Sequence, residues 1–237
     1  MKLWQLLAWA LIALVAAVRA EEPSWPPAPV LELSPSEETP LSALLRAGKQ
    51  AHPEAFLPLT RWCRAQGHNR HRLAKVALLY ALRQVPEDAP QQTVAGWLEA
   101  LPVCERPRSY RWDAEALEVR PQEERLLAPG DRLLFFARPR AVWWLAPDGS
   151  LRPAPYEPGQ MLQTYPWMEA VRAARADHAW VVRPDGSRQR VGVARWNEYE
   201  ARPRLMPGTV VLPEYPWWHH TPVLAQLAAW LDGEVRW

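Results

Sequence analysis

Few residues in this chain have the type and spacing that chemistry requires. Glu123–Glu124 and Glu198 with Glu200 are paired carboxylates. A glycoside hydrolase uses such a pair, one as acid on the leaving oxygen and one as base or nucleophile. On a charged loop the same residues are more often a solvated face. His68 and His71 stand three apart and His219–His220 are adjacent. A zinc site needs three or four converging ligands, and no Asp, Glu or Cys pattern completes either pair. Neither G-x-S-x-G nor H-E-x-x-H occurs. The expectation is a chain with no metal, no cofactor and no catalytic residues, with a glycan-cleaving enzyme as the alternative.

Binding chemistry is better provided for. The chain holds 15 tryptophans, and an indole stacks on the apolar face of a pyranose while its N–H donates to a hydroxyl. Trp196 beside Asn197 in RWNEYE, and Trp217–Trp218 in PWWHH, are the candidate contacts for a glycan or partner. Core packing is the competing role, and Trp97, Trp144 and Trp180 on apolar faces take it. Arg106 is a further candidate, since a guanidinium is a bidentate partner for a carboxylate or an acidic sugar. Its competing role is an ion pair with Glu105 or Asp113.

Those residues need elements to hold them. The chain opens MKLWQLLAWALIALVAAVRA, with Lys2 before an apolar run and small residues up to Ala20. That is the pattern of a secretory signal cleaved after Ala20. An uncleaved anchor is the alternative, but the run is short for a span of ~20 residues. Cleavage removes Lys2 and Arg19 and no acid, so 28 basic and 26 acidic residues become 26 of each. A neutral mature chain carries no electrostatic footprint for nucleic acid. Cys63 and Cys104 are the only cysteines. In an exported protein the simplest state is a disulfide, against two buried thiols.

Residues 21–28 form a Pro-rich lead-in. PVLELS (29–34) alternates like a strand, and TPLSALLRAG (39–48) reads as a helix capped by Thr39 and stopped by Gly48. Residues 53–101 read as a helical block. Leu73, Val76, Ala77 and Tyr80 make the apolar face of one helix, and Val94, Trp97, Leu98 and Leu101 that of another. Cys63 falls in the first helix of the block and Cys104 just past its last. From residue 117 the pattern turns extended, through LEVRP, RLLFFARP, AVWWLAP, AWVVRP, QRVGVARW and TVVLPEYP.

An apolar strand ends in Pro-Asp-Gly-Ser twice, in VWWLAPDGSL (142–151) and AWVVRPDGSR (179–188), with one helix between them at 165–177. Hairpin, crossing helix, hairpin and further strand make the ubiquitin-like β-grasp pattern over 140–216. The strands around the helical block suggest a degraded version over 29–139. The tail, 217–237, aligns Leu224, Leu227, Ala228 and Leu231 on one helical stripe. It is expected to fold back on its own domain, with Gln226 and Asp232 facing water. The expected class is therefore α+β: two β-grasp domains, a helical insertion in the first and a C-terminal amphipathic helix.

Behind the leader and the helical block come LAPGDRLLFFARPRAV (127–142), a PDG hairpin, GVARWN (192–197) and PGTVVLP (207–213). In that order they resemble the GfcC-like capsule biosynthesis proteins. The resemblance implies a periplasmic, non-catalytic accessory of capsule or exopolysaccharide production, monomeric or weakly associating. It further implies likeness to the periplasmic domains of Wza-type polysaccharide exporters. Its partner would be polysaccharide or the outer-membrane export machinery, with no transmembrane segment after signal cleavage. In LPVCER (101–106) Arg106 matches the family's arginine, while Cys104 and Glu105 replace a small pair.

Overall fold

The computed structural model describes residues 25, 27–65, 69–104, 114–122, 124–199, 201–218 and 221–233 of an α+β chain. The leader, Arg106, His68 and His219–His220 lie outside those residues.

The smaller sheet runs in the order β1 (Pro29–Leu33), β5 (Arg132–Phe136), β3 (Arg61–Cys63), with both pairings antiparallel. The strands β2 (Thr39–Pro40) and β4 (Leu126–Leu127) form a separate short pair. Residues Leu133 to Phe136 are all buried, which is why β5 is apolar without alternation. Helix α1 (Leu41–Ala51) lays Leu41, Leu45 and Gly48 inward. Gly48 does not stop this helix. A Cβ at that position would come 2.2 Å from the Phe135 ring, so the missing side chain is what lets α1 approach the sheet. LEVRP is not extended either. Leu117 is buried in the short helix α4 (Ala114–Glu118), in one cluster with Leu41 and Leu45.

The larger sheet has five strands in the order β7 (Leu151–Pro155), β6 (Ala141–Leu145), β10 (Val210–Pro213), β8 (His178–Val182), β9 (Arg188–Gly192). Strands β6 and β10 are parallel neighbours, and every other pairing is antiparallel. Both β6 and β10 are buried throughout. Pro153 and Pro155 fall on β7, an edge strand, where a missing N–H interrupts no ladder on the outer side. Helix α5 (Met168–Ala173) follows β7, burying Met168 and Val171. Successive strand residues point to opposite faces. Trp144 stacks on Trp167, with ring centroids 5.1 Å apart and planes 9° apart, and Trp143 meets Trp25 on the other face at 5.1 Å.

Three further helices complete this larger core. The stretch expected as one helical block begins instead with a 3₁₀ turn at Leu57–Leu59 and with β3, which holds Cys63. Only then come α2 (Asn69–Leu82) and α3 (Pro90–Ala100). From α3, Val94 and Leu98 are buried as expected. On α2 the expected face is reversed: His71, Ala74, Leu78 and Leu82 are buried, and Leu73, Val76 and Tyr80 face out. The helix carries apolar stripes on two sides, and the buried one is the side that α3 and α6 (Thr221–Asp232) cover.

The Cys63–Cys104 disulfide joins β3 to the segment just after α3, closing a loop that contains both helices. The tail helix α6 packs on β8, β9 and α2, with Leu224, Leu227 and Ala228 fully buried. Asp232 departs from expectation. It is buried rather than in water, and the Arg188 guanidinium meets its carboxylate at 2.6 Å. Among the described residues no helix is long and apolar enough to cross a membrane.

Candidate functional site

The residues that follow β9 build the most exposed aromatic surface on the larger sheet. Strand β9 ends at Gly192, and the chain then folds into a tight turn over 194–199. The Asp177 carbonyl organises it, accepting from the Val193 N–H (2.9 Å) and from the Asn197 side-chain amide (2.9 Å). The N–H groups of Asn197 and Glu198 donate to the Ala194 carbonyl at 3.1 and 3.0 Å. Gly192 makes this possible, because a Cβ there would lie 2.4 Å from the Asn197 carbonyl oxygen.

An ion pair secures the far side of the turn. The Arg172 guanidinium, from α5, meets Glu198 at 2.6 Å and Glu169 at 2.7 Å, and its Nε donates to the Val193 carbonyl at 3.3 Å. Arg172 and Glu198 are both largely shielded from water, where a charge-assisted pair outweighs its exposed counterpart. The Gln163 amide donates to the Ala201 carbonyl at 2.8 Å and closes the next segment.

What this scaffold presents is Trp196, 70% exposed, and Tyr199, 68% exposed. The His178 ring meets Trp196 edge-on, with centroids 6.4 Å apart and planes at 86°. The Arg202 guanidinium lies 5.2 Å over the Tyr199 ring. Trp196 and Tyr199 are large aromatics left in water by this frame, which makes them a candidate contact surface. Flat apolar rings beside guanidinium donors suit a pyranose, whose C–H face stacks while its hydroxyls accept hydrogen bonds.

The other expected site residues are distributed differently. Asn197 is buried and faces inward, holding the turn rather than extending the platform. Trp218 is buried and Trp217 half-buried. The two rings lie 4.5 Å apart, and Trp217 also stacks on Tyr215 at 5.5 Å. The Gln91 amide, from α3, donates to the Trp217 carbonyl at 2.6 Å. This pair therefore packs the junction between α3 and the segment after β10. Arg106 lies outside the described residues. His71 is buried, stacked on Trp230 with centroids 5.1 Å apart.

Of each carboxylate pair one member lies among the described residues. Glu198 is engaged by Arg172. Glu124 accepts from the Ser42 and Arg125 N–H groups at 3.2 and 3.1 Å. Their partners Glu200 and Glu123 lie outside the described residues. Among the described residues no group of three or more His, Cys, Asp or Glu could hold a metal. Tyr199, Arg202, Arg172 and Gly192 were not singled out from the sequence. A signal for Tyr199 was present, because a residue three after Trp196 shares its side of a helical turn.

Residues 148–215 match the family model described as capsule biosynthesis GfcC C-terminal. The matched stretch runs from the first Pro-Asp-Gly-Ser turn to Tyr215, so it contains α5, β7 to β10 and the Trp196 turn. No curated protein matches the chain.

Proposed function

From the match of residues 148–215 to the capsule biosynthesis GfcC C-terminal model, we infer a role in capsule biosynthesis. The protein is a non-catalytic, periplasmic accessory of capsule or exopolysaccharide assembly or export. It acts by binding glycan through the Trp196–Tyr199 platform. The observation that carries this reading is the pair of rings exposed on a turn held by the Asn197–Asp177 hydrogen bond and the Arg172–Glu198 ion pair, inside the matched stretch. The disulfide and the family are consistent with a periplasmic or extracellular location.

The architecture supports the same reading. In the larger sheet the last strand, β10, is central, parallel to the first strand β6, with the β6–β7 hairpin on one side, the β8–β9 hairpin on the other and a helix between the hairpins in the chain. We read 140–216 as a β-grasp domain on that pattern. The region 29–139 is its altered counterpart, since its own first and last strands, β1 and β5, pair antiparallel.

The test is direct. Purified protein is titrated with the producing organism's own polysaccharide, and the products are sized. Saturable binding with chain length unchanged is the expected result. Trp196→Ala should weaken it by roughly tenfold, the effect of losing one stacking ring worth ~1.5 kcal/mol, with the melting temperature unchanged. Shortened chains would make the protein an enzyme. Undiminished binding by Trp196→Ala would move the site elsewhere.

A further inference from the structure

Helix α2 is apolar on two opposite sides. At 3.6 residues per turn, His71, Ala74, Leu78 and Leu82 share one face, and Leu73, Val76, Ala77 and Tyr80 share the other. The first face is consumed by the core. The second is open to solvent: Leu73 is 58% exposed, Val76 57% and Tyr80 68%. Leaving three large apolar side chains in one row is unfavourable unless something covers them.

The charges around this row specify what can cover it. Helix α2 contains no acidic residue. Arg70 borders the row on one flank; Arg72, and Arg83 just past the helix end, border it on the other. All three are exposed. Arg83 pairs with Glu99, whereas no ion pair engages Arg70 or Arg72 among the described residues. The acids that follow, Glu87 and Asp88, lie in the turn beyond the helix rather than along it.

We propose that the outer face of α2 is a peripheral docking surface for an anionic lipid bilayer. Apolar side chains along the centre with cations on both flanks is the layout of a helix lying in the plane of a membrane interface. The rings and branches enter the acyl boundary, and the guanidinium groups stay with the phosphates. Tyr80 suits the same depth, with an apolar ring and a polar tip. A second copy of the chain is disfavoured, because any pairing of two such faces sets cations against cations. A stable protein partner is disfavoured as well, because three side chains fall far short of the ~800 Å² per partner that such interfaces bury. The tail helix α6 makes the contrast: its apolar stripe is buried within the chain, and it carries no basic residue in its last turn.

The experiment uses protein exported from cells expressing the whole chain, floated with vesicles of phosphatidylglycerol and phosphatidylcholine or of phosphatidylcholine alone. Binding is expected only to the anionic vesicles, and it should vanish at ~1 M salt, where the Debye length is about 3 Å. Leu73→Ser/Val76→Ser/Tyr80→Ser and Arg70→Ser/Arg72→Ser should each lower the bound fraction by roughly tenfold or more. Because these side chains are exposed, both variants should keep the wild-type melting temperature. Trp196→Ala should bind vesicles normally, which separates this surface from the glycan platform. Wild-type protein that ignores anionic vesicles would overturn the proposal, as would a triple apolar variant that binds as well as wild type. A wild-type dimer that the triple variant converts to monomer would assign the face to a second copy instead.

Discussion

The two Pro-Asp-Gly-Ser hairpins are nearly identical at their tips and different in everything that surrounds them. In both, the Asp side chain accepts from the Ser N–H and hydroxyl two residues on: 3.0 and 2.6 Å for Asp148 with Ser150, 2.8 and 2.7 Å for Asp185 with Ser187. In both, the strand ends are joined by a 2.8 Å hydrogen bond, from Ala146 to Ser150 and from Arg183 to Ser187. Gly149 and Gly186 have φ of 81° and 83°, where a side chain would be strained. At the first tip, burial pushes the Asp148 carboxyl up, but Ser150 and Arg152 outweigh it and hold it below the usual range.

The cover over each tip is what differs. The first is clamped by α3, since Trp97 Nε1 donates to the Gly149 carbonyl at 3.2 Å and the Pro90 carbonyl sits where a Gly149 side chain would go. The second hairpin instead receives α6, with Arg188 at its start paired to the buried Asp232. One local solution thus serves two tertiary roles. The tip geometry is set by four residues, while its stability depends on helices about 50 residues away in sequence.

Removing α6 should have the largest effect, and it should fall on the second hairpin. Truncation before Thr221 strips Leu224, Leu227, Ala228 and Trp230 from the core and leaves Arg188 without Asp232. At ~1.5–3 kcal/mol per large buried side chain, the loss is roughly 5 kcal/mol, or on the order of 10–20 °C in Tm. Calorimetry and light scattering of the truncated chain test this. A Tm equal to wild type would mean that α6 contributes nothing to the fold.

Breaking the disulfide comes next and should reach the first hairpin instead. The bridge spans 41 residues, a loop whose closure constrains the unfolded chain by on the order of 4 kcal/mol. In Cys63→Ser/Cys104→Ser, the helices that the bridge holds should loosen. Amide hydrogen exchange should then quicken over 141–155 and stay unchanged over 178–192. Equal acceleration in both hairpins would show that α3 is not what distinguishes them.

The smallest test compares single glycines. Gly186→Ala adds a side chain at positive φ and should cost about 1 kcal/mol. Gly149→Ala carries the same strain and also drives a Cβ to 2.1 Å from the Pro90 carbonyl oxygen, so about 3 kcal/mol is expected. Urea denaturation of both variants measures the difference, and equal midpoints would remove the asymmetry.

Much of the larger sheet was legible because its signals are short-range. Alternation, Pro-Gly punctuation and the doubled turn marked β6 to β10 in order, and Pro166 lies just ahead of α5. The smaller sheet was harder to read. The stretch 53–68 looked helical by its apolar content, yet Trp62 and Cys63 pair with β5, more than 60 residues away. The pattern at Leu117 predicts an extended chain, whereas the residue is helical, since five residues are too few for a period to show. At the candidate site, Trp196 was visible by its polar neighbours. Asn197 looked like part of the same surface and turned inward, because only the fold brings the Asp177 carbonyl beneath it.

By itself, the amino-acid sequence determined the turns, the succession of strands along the chain around the two hairpins and which two cysteines could pair. Each of these depends on neighbours within a few residues or, for the cysteines, on the absence of any other partner. Only the tertiary structure decided which apolar stripe of α2 went inside, where Asp232 found its cation and which tryptophans remained in water. Those outcomes depend on which surfaces meet across the chain. Apolar area drives burial without direction, so two equally apolar stripes on one helix are indistinguishable until a third element, here α6, covers one of them.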